Sequence, residues 1–266
     1  MIRIFQIAVL SFLLLFPAGC NGPQEKPIWE DVKITDLAAV NISKHKNEKL
    51  KNINFMVYFF EIPAENTGKL DDVWPMLYTK PLKFNNYSAF SKNFFSVGYA
   101  QTSQWDKIRE LLTATGGKKV DSISLLVQDG QSIDILVRNL RKQEDILYVA
   151  ETGTMERKTL GPGKLLLRIK VEKVPEQRGV CNVYVYPMFS PPAGNLIPLP
   201  ALKQRKGEFV FSSTAFELKM GSSDFLFLAR QKYIDDKMTL SSFFFARTRP
   251  EPVIRTILLV CTKIDY

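Results

Sequence analysis

The chain has 266 residues, 45% of them hydrophobic and 24% charged, with a formal net charge of +9. This balance is typical of a globular protein with a sizeable core, and it excludes an intrinsically disordered chain. A basic protein suits an anionic partner, but the sequence has no basic stripe with interleaved aromatic residues of the kind that nucleic-acid binding uses. No nucleic-acid partner is therefore expected.

The N-terminus has the pattern of an export signal. Arg3 is followed by a 13-residue apolar run, Ile4–Phe16, which only Gln6 and Ser11 interrupt. A membrane-spanning helix needs about 20 apolar residues, whereas this run has the length of a signal-peptide core. Residues 1–19 are therefore predicted to be a signal peptide.

The end of this segment, Ala18-Gly19-Cys20, resembles the lipobox of bacterial lipoproteins, with Pro17 where a leucine is usual. The resemblance implies cleavage between Gly19 and Cys20 and a lipid on the Cys20 thiol, which anchors the protein to a membrane. An ordinary cleaved signal with an incidental cysteine is the alternative. The expected location is the cell membrane or the outer membrane, facing the periplasm or the exterior, and Asn21 favours the outer membrane by analogy.

Residues 20–52 are interpreted as the lipidated cysteine and a tether. Asn21–Pro27 is rich in turn-forming residues and has no periodicity. The densest basic stretch, Lys44–Lys51, fits either a solvated lysine segment or a contact with anionic lipid headgroups near the anchored end.

The predicted fold class is α+β, with an N-terminal mixed α/β module (residues 53–150) followed by a C-terminal all-β, sandwich-like half (residues 151–266). In the first module, Ile53–Phe60 is apolar on both faces, as a central strand would be. A short helix is expected near Asp71–Tyr78. A longer one should begin at Thr102 or Ser103 and end at Gly116.

Alternation on both sides of Asp129-Gly130 predicts a β-hairpin. From Asp145 onward the pattern is one of strands and turns, without a convincing repeat. The predicted strands include the following segments: Ile146–Ala150, Lys164–Val174, Val180–Tyr186, Phe209–Met220, Phe225–Leu228, Phe243–Ala246 and Val253–Ile264.

The residues that catalysis usually needs are scarce. His45 is the only histidine, no Cys/His spacing fits zinc, and no glycine-rich phosphate loop is present. The carboxylate pairs Asp71-Asp72 and Asp235-Asp236 fit a helix terminus and a polar loop, respectively. We therefore expect no catalytic residue, no metal and no cofactor, although carboxylates that only folding brings together would escape this reasoning.

Two cysteines remain beyond the lipidation site. Cys181 and Cys261 both lie in apolar predicted strands, and an exported protein meets an oxidising compartment. They fit either a disulfide between neighbouring or facing strands or two separate buried thiols.

Three segments near the C-terminus, Gly221–Ala229, Leu240–Phe244 and Arg255–Ile264, resemble the core domain of bacterial secretins. These are the β-rich outer-membrane gates of type II secretion and type IV pilus systems. The resemblance covers about the last 60 residues, with Ser241 in place of the family's glycine. The expected partners are the membrane, through the lipid anchor, and another envelope protein, for which the resemblance suggests a secretion or pilus component.

The favoured hypothesis is a lipid-anchored cell-envelope protein that acts by binding or assembly and not by catalysis. The alternatives are an envelope hydrolase with a cryptic carboxylate site and a receptor for a small ligand. A bare strand edge or a broad apolar patch would favour the assembly protein. A closed apolar cavity would favour the receptor. The oligomeric state is left open.

Overall fold

The computed structural model describes residues 52–192, 207–231, 238–247 and 250–265. The strands in these ranges are β1 (Asn52–Pro63), β2 (Leu82–Phe84), β3 (Phe95–Gln101), β4 (Lys118–Gln128), β5 (Ser132–Leu140), β6 (Glu144–Val149), β7 (Met155–Leu160), β8 (Gly163–Lys173), β9 (Val180–Ser190), β10 (Phe209–Val210), β11 (Phe216–Gly221), β12 (Asp224–Arg230), β13 (Ala246–Arg247) and β14 (Val253–Ile264). The α-helices are α1 (Tyr87–Lys92), α2 (Trp105–Ala114) and α3 (Leu240–Phe245). Short 3-10 segments span Ala64–Asp72, Trp74–Met76, Thr102–Gln104 and Ser212–Thr214.

Two antiparallel sheets form a sandwich. Sheet A has the order β3-β12-β14-β1-β4, with β13 also paired to β14. Sheet B has the order β2-β11-β9-β8-β5, with β10 also paired to β9. A separate hairpin of β6 and β7 packs Ile146, Tyr148 and Leu160 into the core between the two sheets.

Alternation along β1 explains its central position. Ile53, Phe55 and Val57 are fully buried in the core between the sheets. Phe60 and Ile62 lie in a second core on the opposite face of sheet A. A strand that is apolar on both faces needs cover on both sides, which confirms the prediction of a central strand at this position.

The second core is covered by α2 and the 3-10 segments. Trp105, Ile108 and Leu112 are buried against sheet A, and Gly116 ends the helical region with a φ of +70°. The helix ends as predicted, although Thr102 and Ser103 form a 3-10 turn before it. The helix expected near Asp71–Tyr78 is instead a pair of 3-10 segments.

The described part of the chain is mostly β, with antiparallel sheets. Strands from before and after residue 150 are neighbours in both sheets. The predicted N-terminal α/β module and C-terminal all-β half therefore share one core, and α2 of the first half covers the outer face of sheet A. Within the described residues, no helix is long and apolar enough to cross a membrane.

The hairpin predicted at Asp129-Gly130 is wrong, although the turn exists. Gln131 N donates to Gln128 O (3.0 Å), and Gly130 has a φ of +77°, which glycine adopts without strain. However, β4 pairs with β1 in sheet A, whereas β5 pairs with β8 in sheet B. The chain thus crosses from one sheet to the other at this turn.

Of two strands predicted near the C-terminus, one is confirmed and the other is wrong. The strand Val253–Ile264 is confirmed residue by residue as β14. The predicted strand Phe243–Ala246 is wrong, because its three phenylalanines belong to α3 and only Ala246 begins a short strand. A short, wholly buried apolar run has no periodicity that separates helix from strand.

Candidate interaction edge

The crossover at Asp129-Gly130 leaves β4 as an edge strand of sheet A. One side of β4 pairs with β1, with Leu125 opposite Phe55 and Val127 opposite Ile53. Among the described residues, none pairs with the other side. The strand is 11 residues long, which is long for an unprotected edge.

The charge pattern of β4 divides it into two parts. Lys118, Lys119 and Asp121 lie in its first four residues, where a register shift against β1 marks a bulge at Val120. The seven residues Ser122–Gln128 contain no charged side chain. Near the bulge, the Ser122 N–H donates to the Asp121 carboxylate (2.8 Å). The uncharged part is therefore bounded by a bulge at one end and by the turn at the other.

Apolar side chains on β4 face solvent as well as the core. Ile123, Leu125 and Val127 point into the sandwich. On the opposite face, Leu126 is 61% exposed and Val120 is 47% exposed. The α2 layer covers the central strands of sheet A and leaves these two side chains uncovered. The segment Ser122–Gln128, here called the β4 edge, thus offers the backbone groups on the side away from β1 and one exposed apolar side chain, Leu126; at its two ends, the Ser122 N–H and the Gln128 carbonyl already bond to Asp121 and Gln131.

Three of the other sheet edges are short, charged or partly covered. A backbone bridge covers β3, with Tyr78 N donating to Tyr99 O (2.7 Å) and Tyr99 N to Tyr78 O (2.9 Å). The edge strand β2 is only three residues long. The outer strand of the hairpin, β7, contains Glu156, Arg157 and Lys158. Short strands and charged side chains are the usual means by which proteins prevent edge pairing.

The second long edge, β5, lies beside β4 across the turn and is partly occupied. Arg255 Nη1 donates to the carbonyl of Val137 (3.2 Å), where a bulge interrupts β5. Asp134 accepts two hydrogen bonds from Arg168, at 2.7 and 2.8 Å. These contacts occupy the Val137 carbonyl and the Asp134 carboxylate, so β5 is less open to a partner strand than the β4 edge is.

An arginine network holds the two sheets together at this side. Glu61 accepts from Arg255 (2.8 Å) and Arg247 (2.9 Å), and the Arg138 guanidinium donates to the Ala246 carbonyl. Burial and the nearby charge of Arg255 lower the pKa of Arg138. Glu61 is therefore the carboxylate that balances a cluster of positive charge between β1, β5, β13 and β14.

Most residues singled out from the sequence lie elsewhere. Asp71 and Asp72 are exposed at the end of a 3-10 segment. No group of three or more His, Cys, Asp or Glu side chains in the described ranges is arranged to hold a metal. Gly19, Cys20, His45 and the pair Asp235-Asp236 lie outside the described residues.

The structure brings Cys181 and Cys261 together. They lie on β9 of sheet B and β14 of sheet A, are fully buried in the shared core, and are free thiols. The Cys181 thiol donates to the Met220 carbonyl (3.6 Å), and the closeness of Cys181, together with burial, raises the pKa of Cys261. Because the thiolate is the reactive form, oxidation is favoured only before the two sheets close over these side chains.

We expect a disulfide between Cys181 and Cys261 that forms while the chain is still open. It would close a long loop and stabilise the protein by about 4 kcal/mol in the chain-entropy model. Thiol counting on the denatured protein, purified from the envelope without reductant, checks this: no reactive thiol from this pair is expected. Two reactive thiols per chain would contradict it.

Comparison with known proteins finds weak structural similarity and no match to a family or a curated sequence. No protein-family model matches the chain, and no curated protein matches it either. The secretin domain β-barrel of InvG from the Salmonella SPI-1 injectisome is similar at 10% identity and a TM-score of 0.23, over 79% of this chain and 61% of that one. The V. cholerae type IV competence pilus secretin PilQ gives 10% identity and a TM-score of 0.17, over 78% and 55%.

A third structure, the Klebsiella pneumoniae type II secretion outer membrane complex of PulD, PulS and PulC, gives 9% identity and a TM-score of 0.15. It covers 78% of this chain and 37% of that chain. The chain thus spans less than two thirds of each of these structures. The likeness of the C-terminal segments to secretins remains a resemblance.

Proposed function

We propose that this chain is a lipid-anchored cell-envelope protein that acts by binding or assembly, by adding an extended strand of a partner to the β4 edge. The observation behind the proposal is the uncharged run Ser122–Gln128 at the end of sheet A, which pairs with β1 on one side and with no described strand on the other. A bare edge of this kind is a template for pairing with another chain.

The contrast between β4 and the other edges supports a binding role. Natural sheets place charges or short strands at edges because an unprotected edge aggregates. In this protein β2 is short and β7 is charged, and a backbone bridge at Tyr99 covers part of β3, whereas the β4 edge has none of these features among the described residues. A chain with a net charge of +9 has many lysines and arginines to place, yet none occurs in these seven residues. A protein that keeps one edge open gains a site for a partner strand.

The position of the tether suits a partner in the envelope. Asn52, the first described residue, lies opposite Gln128 at the end of the β4 edge. The 31 residues between Cys20 and Asn52 span at most about 110 Å when fully extended. Lipidation at Cys20 would therefore hold the β4 edge within this distance of the membrane. The proposed partner is an envelope protein, and the sequence resemblance of residues 221–264 points to a secretion or pilus component.

Site-specific photocrosslinking in intact cells tests the role of the edge. A photoreactive side chain at Ser124, in the middle of the β4 edge, should give a protein adduct. The same group at Arg157, which is exposed on the charged edge β7, is the matched control and should give none. Equal adducts at both positions, or none at Ser124, would rule out the β4 edge as the binding site.

The lipid anchor makes a separate prediction. Labelled palmitate should enter the wild-type protein and not Cys20→Ser, because the thiol at residue 20 is the acceptor that the lipobox resemblance implies. Two or three acyl chains, at about 0.8 kcal/mol per buried methylene, give stable anchoring. The measurement is autoradiography of the immunoprecipitated protein, and equal labelling of both forms would disprove the assignment.

A further inference from the structure

We infer that the partner strand has an acidic end, whose carboxylates bind three arginines beside the start of β4. These arginines, Arg138, Arg247 and Arg255, are here called the arginine cluster. The inference rests on the proposed function and names the chemistry of its partner. The partner is thus a protein segment with two parts, an uncharged strand and an adjoining group of aspartates or glutamates.

The three guanidinium groups of the arginine cluster lie close together and share one carboxylate. Arg247 and Arg255 donate to the two oxygens of Glu61, at 2.9 and 2.8 Å. Arg138 donates to the carbonyl of the residue before Arg247, and Arg255 donates to the carbonyl of the residue before Arg138. These contacts hold three positive charges at one place between the two sheets.

The positive charge of the arginine cluster exceeds the negative charge that contacts it. Glu61 supplies one carboxylate against three guanidinium groups, and arginine side chains stay protonated in proteins. No ion pair among the described residues includes Arg138. The charge of Glu144 also acts on Arg138, but this carboxylate lies 3.7 Å from the Lys142 ammonium. Two positive charges are therefore left for a partner to neutralise.

Solvent reaches the arginine cluster, so a ligand can reach it as well. The Arg247 side chain is 47% exposed and the Arg255 side chain is 30% exposed. A guanidinium has five N–H donors, so most of the donors in the cluster remain available to a ligand. Carboxylates suit this site because a guanidinium binds them through two parallel hydrogen bonds.

The arginine cluster lies where a partner strand on the β4 edge would continue. Lys118, the first residue of β4, is exposed and lies opposite Glu61 on β1. The β4 edge begins at Ser122, four residues further along, which is about 13 Å in a strand. Asp121 is the one acidic residue of β4, and its carboxylate accepts from the Ser122 N–H. A partner strand extended by four or five residues would pass Lys118 and reach the cluster.

The position of the cluster favours a protein carboxylate over the phosphate of a membrane lipid. Asn52, where the tether would join the fold, lies nine residues before Glu61 in β1. Nine residues of a strand span about 30 Å. The cluster is therefore at the end of sheet A away from the tether, and the β4 edge lies between the two.

Binding of labelled hexaglutamate to the full-length lipidated protein in detergent tests the site. Fluorescence anisotropy should show tighter binding of hexaglutamate than of hexaglutamine. Arg138→Gln should weaken hexaglutamate binding about tenfold, because a hydrogen bond between charged groups is lost. Arg178→Gln removes the same charge from the exposed turn between β8 and β9 and should change binding less than about twofold. Equal binding of the two peptides, or equal losses in the two variants, would overturn the inference.

Two further variants separate binding from folding. Arg247→Gln should weaken hexaglutamate binding with little effect on the fold, because this side chain is half exposed. Glu61→Gln should tighten hexaglutamate binding, because it removes the carboxylate that competes for the arginines. Urea unfolding establishes that each variant is folded under the conditions of the binding measurement. Weaker binding by folded Glu61→Gln would contradict the inference.

A competition experiment separates a carboxylate partner from a phosphate partner. Acetate should displace hexaglutamate from the wild-type protein at least as well as dimethyl phosphate, a phosphodiester of the same charge. Displacement by dimethyl phosphate at a much lower concentration than by acetate would assign the cluster to lipid phosphate and overturn the acidic strand.

The photocrosslinking result at Ser124 separates this inference from the proposed function. A protein adduct that is lost in Arg138→Gln and kept in Arg178→Gln supports both. An adduct that is unchanged in Arg138→Gln would overturn the acidic end and leave strand addition at the β4 edge intact. The absence of an adduct in the wild-type protein would overturn both.

Discussion

We expect Glu61→Gln to lower the free energy of unfolding by about 3 kcal/mol, because it leaves two arginines without their shared carboxylate. Only 9% of the Glu61 side chain is exposed, and its two oxygens accept from Arg247 and Arg255. Glutamine keeps the size and one acceptor oxygen but removes the charge. Arg247 and Arg255 remain partly exposed, so the effect belongs at the lower end of what breaking a buried ion pair causes.

The surface ion pair between Lys83 and Glu217 is the matched control. Its N···O distance of 3.0 Å is similar, but Lys83 is largely exposed and water screens the interaction. Glu217→Gln should therefore change the unfolding free energy by no more than about 0.5 kcal/mol. Urea unfolding of both variants measures the difference. Equal effects would show that Glu61 does not balance the arginine cluster between the sheets.

Trp105→Ala should destabilise the protein by about 4 kcal/mol, because it removes the largest side chain of the second core. The indole is fully buried on α2, with ring centroids 6.2 Å from Phe60 and 6.1 Å from Phe225. Its loss would leave a cavity between α2 and the outer face of sheet A. Thermal or urea unfolding measures the change.

A second substitution separates packing from hydrogen bonding at this position. Within the described residues, the Trp105 Nε1–H has no hydrogen-bond partner. Trp105→Phe would remove this buried donor, which partly offsets the lost contacts, so we expect a loss of no more than about 1.5 kcal/mol. If Trp105→Phe lowered the free energy of unfolding as much as Trp105→Ala does, the indole N–H would have a hydrogen-bond partner.

Local sequence patterns predicted the elements whose periodicity is strong. The strand β14 and the helix α2 were predicted because an apolar run or a 3.6-residue repeat is long enough to identify the element. The strand β6 was also predicted, from the segment Ile146–Ala150. In these cases the interactions that decide the conformation lie within a few residues of one another.

The partner of each strand could not be predicted in the same way. The alternation of apolar and polar side chains in β4 and β5 shows which face of each strand is buried. The same alternation is expected whether the two strands pair with each other or belong to two facing sheets. Here β1 pairs with β4 although more than 50 residues separate them. The β4 edge follows from that long-range choice, and the one local sign of it is the absence of charge in Ser122–Gln128.

The short helices were missed for a related reason. Asn86 begins α1 by accepting from Ala89 N (2.9 Å), and Asn93 holds the end of α1 to β6 through hydrogen bonds with Val149. A six-residue helix has too little periodicity to identify, and here tertiary contacts fix it. The same applies to α3, whose residues are all buried.

Hydrogen exchange at the β4 amides tests most directly whether a partner strand occupies this edge. The exchange is measured on the lipidated protein in isolated envelopes and again on the purified protein at high dilution. We expect the amides of Ser122–Gln128 to exchange more slowly in the envelope, because a partner would bond the outward-facing groups, while residues 155–160 of β7 exchange equally in both samples. Equal and rapid exchange of the outward-facing β4 amides in both samples would contradict binding at the β4 edge.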